Sequence, residues 1–264
     1  MTGQPDVSET KELNKEALRQ QILTNRREII QKLEQERGSR VITLIHRKEP
    51  WLEEEQSISI EDSEHVLMEI HSTPPKKPID IIIHTPGGLQ LAAEMIGSAL
   101  KQHPGKVTAI VPFYAMSGGT LIALAADEIL MERFSVLGPL DPQINGMASG
   151  ALVNLIPKKP IEMIADETII LADVAEKALK EVSGYIAWFL GGKKISKGQV
   201  KLIVEFLTGG YVAHSRPLSY ETLAGLKLPA KQGVPELVWK LFSTCIFGHC
   251  ERPTLRCTTG CHYS

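Results

Sequence analysis

The chain has 264 residues, 43% of them hydrophobic and 23% charged, with 29 basic against 31 acidic side chains. That length holds one large α/β domain with extensions, and the near-balanced charge gives no electrostatic footprint for nucleic acid or an anionic membrane. The polar N-terminus lacks the apolar stretch of a secretory leader, and all four cysteines lie at or after residue 245, so the pattern predicts a cytoplasmic protein without a disulfide framework.

Residues 1–9 are polar and expected to be disordered. Thr10 to Arg37 predicts a helix with an apolar stripe of Leu13, Leu18, Ile22, Ile29, Ile30 and Leu33, closed by Gly38. Val41 to Ile45 reads as a strand, and His46 after it as an ordinary solvated residue. Glu61-Asp62-Ser63-Glu64 opens a helix to Ser72, with its acids where the helix dipole favours them. The strand Ile79 to Ile83 is apolar throughout, as a strand covered on both faces should be. A helix over 89–102, a strand over 107–111, a helix over 120–126 and a strand over 129–131 follow. Further on, the pattern predicts a short strand at 152–156, helices at 166–182 and 196–207, a short helix closing near Gly225, and a terminal helix at 235–242. The implied division is an extension (1–36), a main domain (37–232) and a cysteine-containing tail (233–264) expected to be poorly ordered.

The uncharged run from Val107 to Ala126 has the ~20 residues a bilayer span needs. Pro112 and the Ser117-Gly118-Gly119-Thr120 cluster break it into a strand and a helix start instead. Strands alternating with helices imply parallel pairing, and ligands then sit at the carboxyl edge of the sheet. Two glycine pairs fall at that edge: Gly87-Gly88 after the 79–83 strand, and Gly118-Gly119 directly after Ser117. A hydroxyl at a helix start, beside glycine N–H groups, suits acyl transfer: Ser117 attacks and Gly87, Gly88 and Gly118 hold the oxyanion. The competing accounts are that Ser117 is a helix N-cap and that the glycines serve tight turns.

Pro78–Gly88 and Tyr114–Thr120 resemble the serine dehydrogenase proteinase family of the Clp protease–crotonase superfamily. The likeness continues through Ala123–Ile129, Leu137–Gln143, Arg37–Ile42 and Ile170–Ala178, and spans about residues 25 to 230. The resemblance implies an α/β spiral of ββα units, a serine nucleophile at Ser117, no cofactor, and assembly into homo-oligomers that act on a peptide or protein substrate. It also makes the chain similar to signal peptide peptidase A, in which a lysine replaces the histidine of the Clp protease. The superfamily's histidine belongs in the stretch 135–142, which holds none here, and this argues for a lysine base. Lys159, with Lys158, follows the predicted 152–156 strand much as the signal peptide peptidase lysine does. Lys177 lies in a family-like helix, and His214 is an outside candidate.

Cys245, Cys250, Cys257 and Cys261, with His249 and His262, lack the paired spacing of a zinc knuckle, and no metal is assigned. Two alternatives share the fold. A crotonase-like acyl-CoA hydratase or isomerase would need a catalytic carboxylate pair, for which Asp127 and Glu128 are the nearest acids. A non-catalytic oligomeric scaffold would use the N-terminal helix as its binding element, and a membrane-associated partner is compatible with any of the three readings.

Overall fold

The computed structural model describes residues 7–46, 57–210 and 213–245, with side chains from residue 17 onward. Helix α1 (Val7–Arg37) leads into β1 (Arg40–Ile45), α2 (Ile60–Ser72), β2 (Ile79–His84), α3 (Gln90–Gln102) and β3 (Val107–Val111). The two-residue β4 (Tyr114–Ala115) precedes α4 (Gly118–Ala125) and β5 (Glu128–Met131). Next come β6 (Val136–Leu137), β7 (Gln143–Ile144), β8 (Met147–Ala148), α5 (Ser149–Leu155), α6 (Asp166–Leu190) and α7 (Lys197–Thr208). β9 (Leu218–Ser219), α8 (Tyr220–Gly225), β10 (Ala230–Gln232) and α9 (Glu236–Ser243) complete the described chain.

Five strands form one sheet in the order β1-β2-β3-β5-β10, with every pair parallel. Parallel neighbours need crossover connections, which the intervening helices supply. The period of two along each strand sorts apolar side chains onto two faces. Ile42, Leu44, Ile79, Ile81, Ile83, Val107, Ala109 and Val111 join the larger core under α2, α3, α4 and α6. Val41, Ile82 and Ile110 face the other way, where Leu33 of α1 and Val238, Leu241 and Phe242 of α9 cover them. Leu33 and Val238, from either side of the boundaries predicted at 36/37 and 232/233, therefore share one apolar cluster. Within the tail expected to be poorly ordered (233–264), residues 236–243 form α9, whose Val238, Leu241 and Phe242 are buried; the part beyond residue 245 lies outside the described residues.

A buried carboxylate locks α1 to the sheet. Asp80 projects from β2 on the α1 side, where Ser39 Oγ donates to it at 2.6 Å and Arg37 binds it through both Nε and Nη2. Burial without such donors would be costly; a bidentate guanidinium satisfies both oxygens.

Two sequence expectations change. Residues 152–156 lie in α5 and the 3-10 turn Ile156–Lys158 rather than in a strand. An apolar run that short cannot separate the two periods, and Leu152 is buried as part of a helical face. The helix expected over 166–182 runs on to Leu190, because Val182, Ile186, Phe189 and Leu190 continue one buried helical stripe. The uncharged run 107–126 divides into β3, β4 and α4, and no helix among the described residues is long and apolar enough to cross a membrane.

A candidate active site at the start of α4

Ser117 stands at the turn between β4 and α4 with φ 49° and ψ −119°. Such a conformation costs a side-chain-bearing residue on the order of 1–3 kcal/mol and persists only where its surroundings enforce it. Thr85 supplies one constraint: its N–H donates to Tyr114 O at 3.1 Å and its carbonyl accepts from Met116 N–H at 2.9 Å. Thr120 supplies the other: its buried hydroxyl donates to Ala115 O at 2.7 Å and accepts Gly138 N–H at 2.8 Å. Ser117 occupies the N-cap position of α4 yet makes no side-chain capping bond. The capping account of this serine therefore fails.

The glycine loop closes over this turn. Ile58 N–H donates to Gly87 O at 2.7 Å and Leu89 N–H to Ile58 O at 2.9 Å, so Gly88 lies against Ile58 as in a parallel ladder. Alternation then turns the N–H of Gly88 away from Ile58. A β-carbon on Gly118 would come within 3.8 Å of Gly88 N, which places the two glycines side by side. Neither N–H donates to a protein acceptor among the described residues. Gly88, Ser117 and Gly118 line a pocket of about 40 Å³, room for about one water or a carbonyl oxygen. Gly87 is arranged differently from the sequence expectation: its N–H donates to Thr85 Oγ1 at 3.2 Å. With φ 107° and no space for a β-carbon, which would sit 2.7 Å from Ser117 Cβ, it serves the turn.

The Gly87–Gly88 loop is itself braced. His46, only 6% exposed, reaches Thr85 Oγ1 with Nδ1 at 2.8 Å and Asp62 Oδ2 with Nε2 at 3.1 Å. It is not the solvated residue the sequence suggested. Asp62 closes a capping box with Ser59 at the start of α2. Burial alone would raise the Asp62 carboxyl, but hydrogen bonds from His46 and Ser59 outweigh it and hold it below the usual carboxylate range.

The lysines lie elsewhere. Lys159 is exposed beyond the 3-10 turn, and Lys177 is 73% exposed and paired with Asp173 one helical turn away at 2.6 Å. Among the described residues the lysine with a lowered pKa is Lys193, brought to about 8 chiefly by burial. Its Nζ donates to Leu124 O at 2.6 Å and to Ala126 O, closing the far end of α4. That end is roughly 12 Å from Ser117 along an eight-residue helix.

A histidine does reach the site's wall. Asp141, 2% exposed, lines the same pocket as Ser117. Its Oδ1 accepts His214 Nδ1–H at 2.7 Å and its Oδ2 accepts Gln143 Nε2–H at 2.8 Å. The hydrogen bond to Asp141 raises the His214 pKa by more than burial lowers it. A carboxylate only accepts, so Nδ1 carries the proton and Nε2 is the nitrogen able to take another.

The profile of the ClpP-like SDH-type serine proteinases matches residues 13–255. The chain belongs to that family. An uncharacterized protein of Methanocaldococcus jannaschii, MJ0137, is 43% identical over 225 residues, covering 84% of this chain and 78% of its own length. A second from the same organism, MJ1495, is 44% identical over 216 residues, covering 80% and 73%. Among solved structures, a mutant of the 1510-N membrane-bound stomatin-specific protease superposes with a TM-score of 0.47 at 19% identity, covering 76% of this chain and 82% of that one. Membership in the family makes the α/β architecture a Clp protease-like one.

For this SDH-type proteinase, the sequence pointed to the serine and both glycine pairs but not to Asp141, Thr85 or the role of His46. Asp141 was in view within the family-like 137–143 segment. Its partner lies 73 residues downstream, and no local pattern links the two. Among the described residues no cluster of His, Cys, Asp and Glu could hold a metal ion. Cys245 is buried at the end of the chain's described part, and the remaining cysteines, His249 and His262 lie outside it.

Proposed function

We propose that this chain hydrolyses peptide bonds through an acyl-enzyme on Ser117. The observation that carries the reading is an uncapped serine hydroxyl, in a strained turn, beside the uncommitted N–H groups of Gly88 and Gly118. Ser117 Oγ adds to the scissile carbonyl while Nε2 of His214 takes its proton. The two glycine N–H groups stabilise the oxyanion that forms. Asp141 stabilises the imidazolium, which returns the proton to the leaving amine as the C–N bond breaks. Water then adds to the ester by the same route, freeing the acid and restoring the serine.

His214 is favoured over Lys159 and Lys177 because a lysine becomes a base near neutral pH through burial, and both of these ammonium groups are exposed. The acyl-CoA reading is less well supported: Asp127 accepts Val107 N–H at 2.9 Å and Glu128 pairs with Lys106 at 2.6 Å, so both acids brace the sheet. Exposed Ile161, Met163, Ile170 and Val174 support self-association of the chain. Fluorophosphonate–rhodamine tests the reading directly. Wild type should be labelled and Ser117→Ala should not; equal labelling of the two would refute the proposal.

A further inference from the structure

The Gly87–Gly88 loop is clamped from two directions, and the two clamps meet at one side chain. On one side, Thr85 Oγ1 accepts Gly87 N–H at 3.2 Å. On the other, Asp62 Oδ2 accepts Ser59 N–H at 2.8 Å, and Ser59 follows Ile58, the residue bridged to Gly88. His46 joins Thr85 to Asp62 through its two ring nitrogens. The Thr85 hydroxyl has one proton and two acceptors in range, His46 Nδ1 at 2.8 Å and Gly87 O at 3.3 Å. Given to the nearer, it leaves the Thr85 oxygen free to accept Gly87 N–H, while Nε2–H of His46 goes to the Asp62 carboxylate. Every polar atom along this chain then has its proton placed, and each link fixes the next.

We infer that His46, acting through Thr85 and Asp62, is a positioning residue that aims the N–H of Gly88 at the oxyanion. It touches no reacting atom. Its effect is on transition-state stabilisation, because a donor is useful only where the developing charge will be. This inference rests on the proposed serine peptidase reading.

The test is the kinetics of fluorophosphonate–rhodamine labelling, separated into the maximal rate kinact and the half-saturation concentration KI. Thr85→Val removes the hydroxyl at nearly constant shape, and His46→Ala removes the relay. Each should lower kinact about tenfold, short of the ~10²–10³ for outright loss of an oxyanion donor, with KI within about twofold. Thr85→Ser, which keeps the hydroxyl, should return kinact to near the wild-type value. A merely structural role would lower the melting temperature without this split or this rescue. Should Thr85→Val melt below the assay temperature, Asp62→Ala cuts the same chain at a partly exposed carboxylate and gives the same readout. Wild-type kinact in folded Thr85→Val and His46→Ala, with Ser117-dependent labelling intact, overturns the inference alone. Labelling that survives Ser117→Ala overturns the peptidase reading, and this inference with it.

Discussion

Gly88 gives the sharpest test of the proposed oxyanion site. A β-carbon at this position would lie 2.3 Å from both the N and the O of Ile58 and 2.7 Å from its Cα. These are backbone atoms, held by the Gly87 and Leu89 hydrogen bonds on either side, so no side chain can swing aside. Reaching ordinary contact at 3.4 Å requires a displacement of about 1 Å. An N–H moved that far from a 2.9 Å hydrogen bond passes the distance at which the bond still counts. Gly88→Ala should therefore lower the labelling rate about 100-fold, the size expected for losing one oxyanion donor, or ~3 kcal/mol of transition-state stabilisation. Gly184→Ala is the control. It lies inside α6 with open space around its β-position, and should stabilise the fold by about 0.5–1 kcal/mol while leaving labelling unchanged. Fluorophosphonate labelling rates with parallel thermal melts give both readings. Labelling of Gly88→Ala within about threefold of wild type would refute the reasoning.

Ser117→Gly should abolish labelling and raise stability by about 1 kcal/mol in urea denaturation, because glycine adopts φ 49° without strain; an unchanged midpoint would show that the turn stores no strain. The pH profile of labelling should follow His214. In the proposed mechanism the neutral imidazole is the base, and Asp141 raises its pKa, so the rate should climb through a pKa above 6.5. Asp141→Asn should shift that rise to lower pH with a reduced plateau, and His214→Gln should remove it; superimposable profiles would exclude the pair from the chemistry. The sign for stability is opposite. A raised folded-state pKa stabilises fully below about pH 6.5 and loses that contribution as pH rises through the folded value. Wild type should therefore exceed His214→Gln in melting temperature most at the acid end.

The Ser117 turn was legible because its signals are local. Apolar strand, glycine pair and helix start are contiguous, and Ser117-Gly118-Gly119-Thr120 carries the turn, the hydroxyl and Thr120's brace within one short stretch. The same locality located α1, α2, α3, α4 and α7 to within a few residues, and the start of α6, since period and capping are properties of neighbouring residues. It failed at 152–156, where the apolar run is too short to tell a period of two from one of 3.6.

The partners of that turn were decided by packing. The chain between β6 and β7 puts Asp141 in the pocket lined by Ser117, and a loop beyond α7 carries His214 to Asp141. His46 likewise became a brace only when β1 paired with β2 and set its ring between Thr85 and Asp62. The sequence by itself determined that Ser117 and the glycine pairs fall at strand ends and a helix start, because each signal lies within a single turn of chain. Only the tertiary structure decided which side chains gather around them, His214 on Asp141 and His46 between Thr85 and Asp62, because those contacts join residues whose distance along the chain says nothing about their distance in space.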